Sequence, residues 1–290
     1  MRIVSVAMLL GLLIAAPVLG QGQSGPKVFI SVDMEGLTGV TTSEECSRTG
    51  KDYDYFRRIM TQEANAAIEG ALAAGATEIL VRDSHGSARN ILPDLLHKKA
   101  RLLRNWAPSP KTMMEGIDET YDGVVFIGYH AKAGTADALI EHTMTGNITD
   151  VSINGVSLPE AGINALIAGA FDVPVVFVAG DQAICQQAKA LFGAVETVAV
   201  KDGIGGAAIN HHPEVSQDMI RAGVEKAFKN VAQYKPYKLT PPYTLVLKLK
   251  REESVYTGAL YPGAERTGDW ELTFKSNDLM EVINAFWGMQ

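Results

Sequence analysis

The stretch KVFISVDMEG, residues 27–36, decides the fold. Four of its first six residues are apolar and either β-branched or aromatic, which is typical of a strand covered on both faces. Asp33 and Glu35 follow two positions apart, so on an extended backbone their side chains point to the same side. Two carboxylates aimed at one spot repel each other unless a cation or a shared proton lies between them. The stretch predicts a buried strand that ends at a cation site and turns away at Gly36. The alternative to a cation site is an exposed strand end where water solvates both acids.

Two further buried strands are predicted to end in polar side chains. Residues 78–82 precede Asp83 and His85, and residues 122–128 precede His130. A single histidine is more often structural than functional, but two at this position in the fold, facing the acids of the first strand, favour a shared site.

A long helix is predicted between the first two strands. Apolar residues recur at helical period over residues 53–74, and Gly75 ends the pattern. A strand, helix and strand in succession form a βαβ unit, so the two strands are expected to be parallel neighbours. Ligand sites in such sheets lie in the crevice outside the carboxyl ends of the strands. We therefore expect Asp33, Glu35, His85 and His130 to meet in one cleft.

Imidazole nitrogen and carboxylate oxygen together form the ligand set of zinc, manganese or non-haem iron. The residues of this cleft therefore predict a metal site. Asp83 is either a further ligand or the partner that fixes an imidazole tautomer.

The rest of the chain continues the α/β pattern. A hairpin is predicted around Asn154-Gly155, a favoured turn pair. The other predicted elements are a short helix near Leu95, a strand over 100–103, a short helix or turn over 112–118, helices over 160–171, 182–192 and 214–229, and strands over 173–179 and 197–200.

The composition shifts after a proline-rich stretch at residues 235–242. Residues 243–250 alternate like a half-exposed antiparallel strand, residues 270–274 are its expected partner, and a helix is expected over 276–286. The predicted architecture is a largely parallel central sheet flanked by helices, with a smaller C-terminal α+β portion. We expect a core over residues 21–234 and a C-terminal extension over 235–290, which is either an appendage or an addition to the main sheet.

The N-terminus has the pattern of a secretory signal peptide over residues 1–20. Arg2 supplies the positive charge, residues 4–16 the apolar segment, and cleavage would leave Gln21 at the mature N-terminus. A retained anchor is the alternative. The pattern predicts an exported protein, either periplasmic or secreted.

Composition narrows the partners. The 290-residue chain carries a net charge of −7 with scattered basic residues, which argues against a nucleic-acid or membrane partner. Its two cysteines, Cys46 and Cys185, lie too far apart in sequence for zinc-site spacing. An exported protein permits a disulfide between them, and two unpaired thiols are the alternative.

The residue types alone say less about the other candidates. Glu160 lies at a helix N-terminus, where the dipole favours a carboxylate, and Asn164 one turn later is placed to support it. His142 lies in a loop, where both a solvated and a catalytic role are open. Three further segments are expected to have structural or surface roles: His97 at a helix end, His211-His212 as a helix cap, and residues 202–206 as a flexible glycine-rich loop.

Five motifs occur in a recognisable order: SVDMEG (31–36), RDSH (82–85), GYHA (128–131), EHTM (141–144) and EAGINA (160–165). From Lys27 to the C-terminus, the chain resembles the zinc D-aminopeptidases of the DppA type, peptidase family M55. The resemblance implies two zinc ions bridged by Asp33. It implies that Glu35 and His130 complete one metal site, that His85 and Glu160 bind the other metal, and that His142 is the catalytic histidine.

The resemblance also implies a ring-shaped homo-oligomer, a decamer, that releases N-terminal D-residues such as D-Ala from short peptides. Two features depart from the family pattern: the predicted export, which would move the substrate to peptides outside the cell, and Pro159 where a glycine is expected. The rival functions are a related metallo-amidase, esterase or L-aminopeptidase on the same site, and a non-catalytic solute- or metal-binding protein.

Overall fold

A computed structural model describes residues 25–290 of the chain. The predicted signal peptide over residues 1–20 lies outside the described residues and stays a prediction. Within the described part, no helix combines the length and the apolar character needed to cross a lipid bilayer.

The described residues form strands and helices that alternate along most of the chain. The strands are β1 Lys27–Val32, β2 Glu78–Asp83, β3 Arg101–Leu103, β4 Gly123–Tyr129, β5 Ile148–Ile153, β6 Val156–Ser157, β7 Val175–Asp181, β8 Glu196–Ile204, β9 Ala207–Asn210, β10 Tyr243–Leu249, β11 Glu265–Gly268 and β12 Glu271–Ser276. The α-helices are α1 Ser43–Cys46, α2 Tyr53–Ala73, α3 Glu160–Ala170, α4 Gln182–Phe192, α5 Pro213–Lys229, α6 Glu252–Gly258 and α7 Leu279–Gly288. Short 3₁₀ turns lie at Thr112–Met114, within the stretch predicted as a short helix or turn, and at Val231–Gln233.

The main sheet has seven strands in the order β3-β2-β1-β4-β7-β8-β9. All neighbours pair in parallel except β8 and β9. The predicted βαβ unit is confirmed, because β1 and β2 are adjacent and parallel. Strand β1 lies between β2 and β4, with Val32 opposite both Asp83 and Ile127. The three strands that carry the predicted ligands therefore end side by side.

The side chains of β1 alternate between two apolar layers. Val28, Ile30 and Val32 pack in the layer that contains α2 and α5. Phe29 packs in the opposite layer, which contains α3, α4, α7 and the second sheet. Because both faces are covered, the strand is apolar without an amphipathic pattern, as the sequence indicates.

The second sheet is antiparallel, in the order β11-β12-β10-β5-β6. The predicted pairing of the two C-terminal strands is confirmed, and so is the hairpin at Asn154-Gly155, where both turn residues have positive φ, 52° and 77°. This sheet takes β5 and β6 from the chain before residue 235, and the division at 234/235 stays a prediction. The predicted fold class, a largely parallel sheet flanked by helices with a smaller α+β portion, is confirmed.

Two predicted elements differ. The prediction of a short helix around Leu95 is wrong, because residues 92–100 form turns. The side chain of Asn65 on α2 stabilises these turns: its Nδ2 donates to the Leu95 carbonyl and its Oδ1 accepts from the His97 amide. The flexible loop at residues 202–206 is also wrong. Strand β8 continues to Ile204, and Gly205-Gly206 turns the chain into β9.

Candidate metal centre

The Asp33-Met34-Glu35-Gly36 turn lies directly against the end of β4. The Asp33 amide donates to the Ile127 carbonyl and the Gly36 amide to the Gly128 carbonyl, both at 2.8 Å. A Cβ at Gly36 would collide with the Tyr129 carbonyl, and one at Gly128 with the Asp33 carbonyl. Gly36 lies in a turn, as predicted, because the Leu37 amide donates to the Met34 carbonyl at 3.1 Å. Its missing Cβ is also needed for the close approach of the two backbones. This contact holds the two acids at the strand edge.

His85 lies on a loop anchored by Asp83. The Asp83 carboxylate accepts from the amides of Asn90 and Ile91 and from Asn90 Nδ2, while Asn90 Nδ2 also donates to the His85 carbonyl at 2.6 Å. The His85 ring places Nε2 3.1 Å from Glu35 Oε1. Asp83 therefore holds the loop that carries the imidazole, which is neither of the two roles predicted for it.

The His130 ring is oriented by its own backbone. Its Nδ1–H donates to the Ala131 carbonyl at 3.0 Å, because a carbonyl oxygen can only accept. Nε2 therefore faces the acids, 3.4 Å from Glu160 Oε1 and 3.7 Å from Asp33 Oδ2. A backbone acceptor on one ring nitrogen is the usual arrangement of a histidine whose other nitrogen binds a metal.

Glu160 brings His142 into the same cluster. Glu160 Oε1 accepts from the Met144 amide at 2.7 Å, which ties the loop over residues 142–145 to the start of α3. His142 donates from Nδ1 to the Ile140 carbonyl at 2.9 Å and places Nε2 3.4 Å from Glu160 Oε1. Its ring stacks on that of His130, with centroids 4.3 Å apart. Sequence reasoning left His142 between surface and site, and the structure places it in the site.

These residues surround a cavity of about 340 Å³. Asp33, Glu35, His85, His142 and Glu160 form its polar wall. The indoles of Trp106 and Trp287 and the thioethers of Met113 and Met144 form much of the remainder. The lining of the cavity thus combines charged side chains with large apolar ones.

The cluster contains buried polar atoms without hydrogen-bond partners: Asp33 Oδ2, Glu35 Oε2, His85 Nδ1 and His130 Nε2. Buried polar groups are normally paired, so several unpaired atoms in one cluster indicate a cation that binds there. Carboxylate oxygens of Asp33 and Glu35 and a ring nitrogen of His130 lie within 4.8 Å of one another, as do ligand atoms of His130, His142 and Glu160. The donor set fits zinc.

The first of these groups contains the residues predicted for one zinc ion. The predicted partners of the other, His85 and Glu160, contact different residues: His85 contacts Glu35, and Glu160 contacts His130 and His142. Cys46, which showed no zinc-site spacing in the sequence, has its sulfur within 4.8 Å of ligand atoms of Glu35 and His85. Cys46 and Cys185 are both buried free thiols.

Burial and crowding shift the pKa values of the cluster. Burial and the negative charges of Glu35 and Glu160 raise the pKa of Asp33 well above its usual value. For Glu35 burial acts in the same direction, but the neighbouring His85 outweighs it and holds the pKa well below the usual value. Burial lowers the pKa of His130, yet Glu160 raises it overall to about 9. The pKa shifts thus show that the carboxylates are crowded and buried, a condition that a bound divalent cation relieves.

Two supporting contacts were not predicted. Lys201, only 3% exposed, donates from Nζ to the carbonyls of Glu35 and Val40. Glu63 accepts from the Thr38 amide at 3.0 Å. The buried side chains of Lys201 and Glu63 thus fix the backbone of residues 33–40. The available signal was a lysine directly after an apolar strand run, TVAV at residues 197–200.

Other predicted candidates lie elsewhere. Asn164 was predicted to support Glu160, but its side chain donates to the Tyr129 hydroxyl instead, at 3.0 Å. His212 Nδ1 accepts from the Glu214 amide at the start of α5, so its predicted cap role is confirmed. His97 accepts from the Lys99 amide in the turn region, and not at a helix end as predicted.

Comparisons with known proteins identify the family of the chain. The family model of the M55 peptidases, described as D-aminopeptidases, matches residues 27–288. A D-aminopeptidase of Bacillus subtilis (strain 168) is 36% identical over 265 residues, which cover 89% of this chain and 94% of that protein. The solved structure of the Zn-dependent D-aminopeptidase DppA from Bacillus subtilis, a self-compartmentalizing protease, matches with a TM-score of 0.87 and 34% identity, over 91% of this chain and 96% of that one.

These matches extend over nearly all described residues and include the five motifs, which lie between residues 31 and 165. The resemblance inferred from those motifs is confirmed, together with the predicted enzyme class of metallo-aminopeptidase. The chain belongs to the M55 peptidase family, the D-aminopeptidases.

Proposed function

We propose that this chain is an exported zinc-dependent aminopeptidase that releases N-terminal D-residues, of the D-Ala type, from short peptides. The observation that carries the proposal is the set of buried, unpartnered ligand atoms of Asp33, Glu35, His85 and His130 beside a cavity of about 340 Å³. The zinc dependence of the Bacillus subtilis relative supports the choice of metal.

The residues proposed to hold two zinc ions are those of the cluster. Asp33, Glu35 and His130 would hold one ion, and Asp33, His85 and Glu160 would hold the other, as the family resemblance implies. Bound zinc supplies Lewis acidity, which lowers the pKa of water and polarises a peptide carbonyl.

The chain's own groups supply the remaining chemistry. The Nδ1–H of His142 donates a hydrogen bond to the Ile140 carbonyl. Nε2 is therefore the ring nitrogen that can exchange a proton at the edge of the cavity. It would act as general acid/base or stabilise the tetrahedral oxyanion. A nearby acid would hold the free α-amino group of a substrate.

The apolar wall defines the proposed place for the substrate side chain. Trp106, Met113 and Trp287 give the cavity an apolar lining beside the charged cluster. A preference for D-residues would come from this wall, because the charged groups contact the amine and the carbonyl, which both stereoisomers share.

We further propose that the chain forms a homo-oligomer, as its self-compartmentalizing relative does, with ten subunits as the family resemblance implies. Light scattering of the purified protein tests both the assembly and the number of its subunits.

Export is tested by cell fractionation and N-terminal sequencing, with Gln21 expected as the first mature residue. Peptidoglycan-derived peptides are the proposed substrates outside the cell.

The decisive experiment combines metal analysis with hydrolysis of paired D-Ala and L-Ala dipeptides. We expect about two zinc ions per chain by the co-catalytic template and faster release from the D-substrate. Full activity after exhaustive chelation would contradict the metal mechanism. Faster release from the L-substrate would identify an L-aminopeptidase, turnover of only amide or ester analogues would identify an amidase or esterase, and metal binding without turnover would indicate a binding protein.

A further inference from the structure

A second cavity, of about 390 Å³, is lined by arginines. We call it the arginine pocket, defined by Arg48, Arg57, Arg89 and Arg104 together with Gly50, Tyr53 and Asp54. The chain as a whole carries a net charge of −7. The four guanidinium groups therefore make this cavity positively charged on a chain that is negatively charged overall.

Backbone contacts bring these cations together. Arg57 donates from Nε to the Asn90 carbonyl at 2.8 Å and from Nη2 to the Arg89 carbonyl at 3.3 Å. Arg104 Nη2 donates to that same Arg89 carbonyl, also at 3.3 Å. Two guanidinium groups that share one acceptor must lie close to each other. Their mutual repulsion is relieved by an anion placed between them.

The pocket does not supply that anion itself. Asp54 contacts Arg57 at 3.5 Å, but its side chain is 88% exposed, so the pair is weak. Within residues 25–290, Arg48, Arg89 and Arg104 form no ion pair. Four guanidinium groups thus face one solvated carboxylate.

We propose that the arginine pocket binds a small, multiply charged oxyanion, carboxylate or phosphate, at a site separate from the metal centre. The planar guanidinium group donates two parallel hydrogen bonds to either type of oxygen pair. The volume of the pocket admits a small anion with more than one charged group. The inference does not depend on the proposed peptidase activity.

The pocket adjoins the segments that line the metal cavity. His85 and Arg89 lie on one loop, and Arg104 is two residues before Trp106. An anion that contacts Arg89 and Arg104 would therefore join two segments that also form the metal cavity.

The test is isothermal titration of the metal-loaded full-length protein with inorganic phosphate and, separately, with succinate, at ionic strength held constant with sodium chloride. We expect saturable binding, and the ranking of phosphate against succinate distinguishes the two anion types. Arg48→Gln and Arg104→Gln should each weaken binding by about tenfold or more, since a hydrogen bond to a charged group is lost. Arg58→Gln is the matched control, because Arg58 is exposed on α2 outside the pocket.

Three results would overturn the proposal. Unchanged binding in both pocket variants would assign the anion to another site, such as the metals. Equal weakening in Arg58→Gln would indicate diffuse charge attraction alone. A smaller assembly of Arg48→Gln in light scattering, with no saturable binding by the wild type, would mean that these arginines contact a second copy of the chain.

Discussion

The metal centre and the arginine pocket are cavities of similar size, about 340 Å³ and 390 Å³, with opposite charge. At the metal centre Asp33 is 2% exposed and the neighbouring acids are also buried. In the arginine pocket the side chains of Arg48, Arg89 and Arg104 are exposed. The loop from His85 to Asn90 contributes to both cavities.

The comparison shows how burial changes the consequence of crowding like charges. Water screens the exposed arginines, so their repulsion is modest and any anion is expected to bind reversibly and in a salt-dependent way. The buried acids have no such screening, so they are stabilised by protons, imidazolium groups or a metal. Changes at the metal centre should therefore have much larger effects than changes at the pocket.

The largest effect is expected for His85→Ala. Loss of a proposed ligand should remove metal and reduce peptidase activity by more than about 100-fold, because even residues that only support metal ligands contribute 10- to 100-fold. Metal analysis and steady-state kinetics measure this, with His211→Ala as the control, since His211 is exposed outside the cluster. Normal metal content in His85→Ala would contradict its role as a ligand.

His142→Ala should separate binding from catalysis. We expect full metal content and a fall in kcat of about 10²- to 10⁴-fold, the range for loss of a general acid/base. Because His142 also lies within ligand distance of His130 and Glu160, loss of metal in this variant would reassign it as a ligand.

Lys201→Met tests the support beneath the acids. The variant leaves the Glu35 and Val40 carbonyls without their buried donor, which should lower the free energy of unfolding by about 4 kcal/mol. Urea unfolding measures the loss. Lys248→Met is the strand control, because Lys248 makes only an exposed contact with Glu271 and should change stability by less than about 1 kcal/mol. Equal losses in the two variants would refute the support role.

Glu63 should make stability depend on pH. Burial raises its pKa from 4.5 to about 7 in the folded chain, so the folded state binds more protons than the unfolded state between these values. This contribution to stability is complete below pH 4.5 and is lost as pH rises through about 7, a difference of about 3 kcal/mol.

Glu63→Gln should remove this contribution. Between pH 5 and pH 8 the free energy of unfolding, measured in urea, should fall in the wild type. In the variant it should fall less. The same pH dependence in both proteins would show that Glu63 does not titrate in this range.

The smallest effect is expected at the arginine pocket. Asp54→Asn removes its solvated carboxylate and should strengthen phosphate binding about two- to fivefold, the value of an exposed ion pair. Titration calorimetry at low and high sodium chloride measures this, and the gain should shrink at high salt. Weaker phosphate binding in Asp54→Asn would show that the carboxylate helps to bind the anion.

Sequence reasoning succeeded where residues act through the local chain. Strands β1, β2 and β4 were recognised from their apolar composition, and their neighbouring positions followed from the βαβ unit. The turn at Asn154-Gly155 was recognised because few other residue pairs adopt two positive φ angles. The metal and catalytic roles of the cluster residues stay predictions.

It failed where distant contacts override local preference. Asn65 holds residues 95–97 in turns where the pattern indicated a helix. The role of Asp83 was missed because its partners, Asn90 and Ile91, are backbone and amide groups without a sequence pattern. Lys201 contacts carbonyls of residues more than 160 positions earlier.

The sequence by itself indicated the family, through the resemblance of its five ordered motifs. It also indicated the parallel sheet and the strand ends that carry Asp33, Glu35, His85 and His130, because apolar runs and the polar residues that follow them are local properties. Only the tertiary structure decided that the Glu160 carboxylate bonds the Met144 amide and brings His142 to the cavity. It alone assembled the arginine pocket from residues 48 to 104. Such contacts depend on how the chain packs in three dimensions, and no spacing along the sequence encodes them.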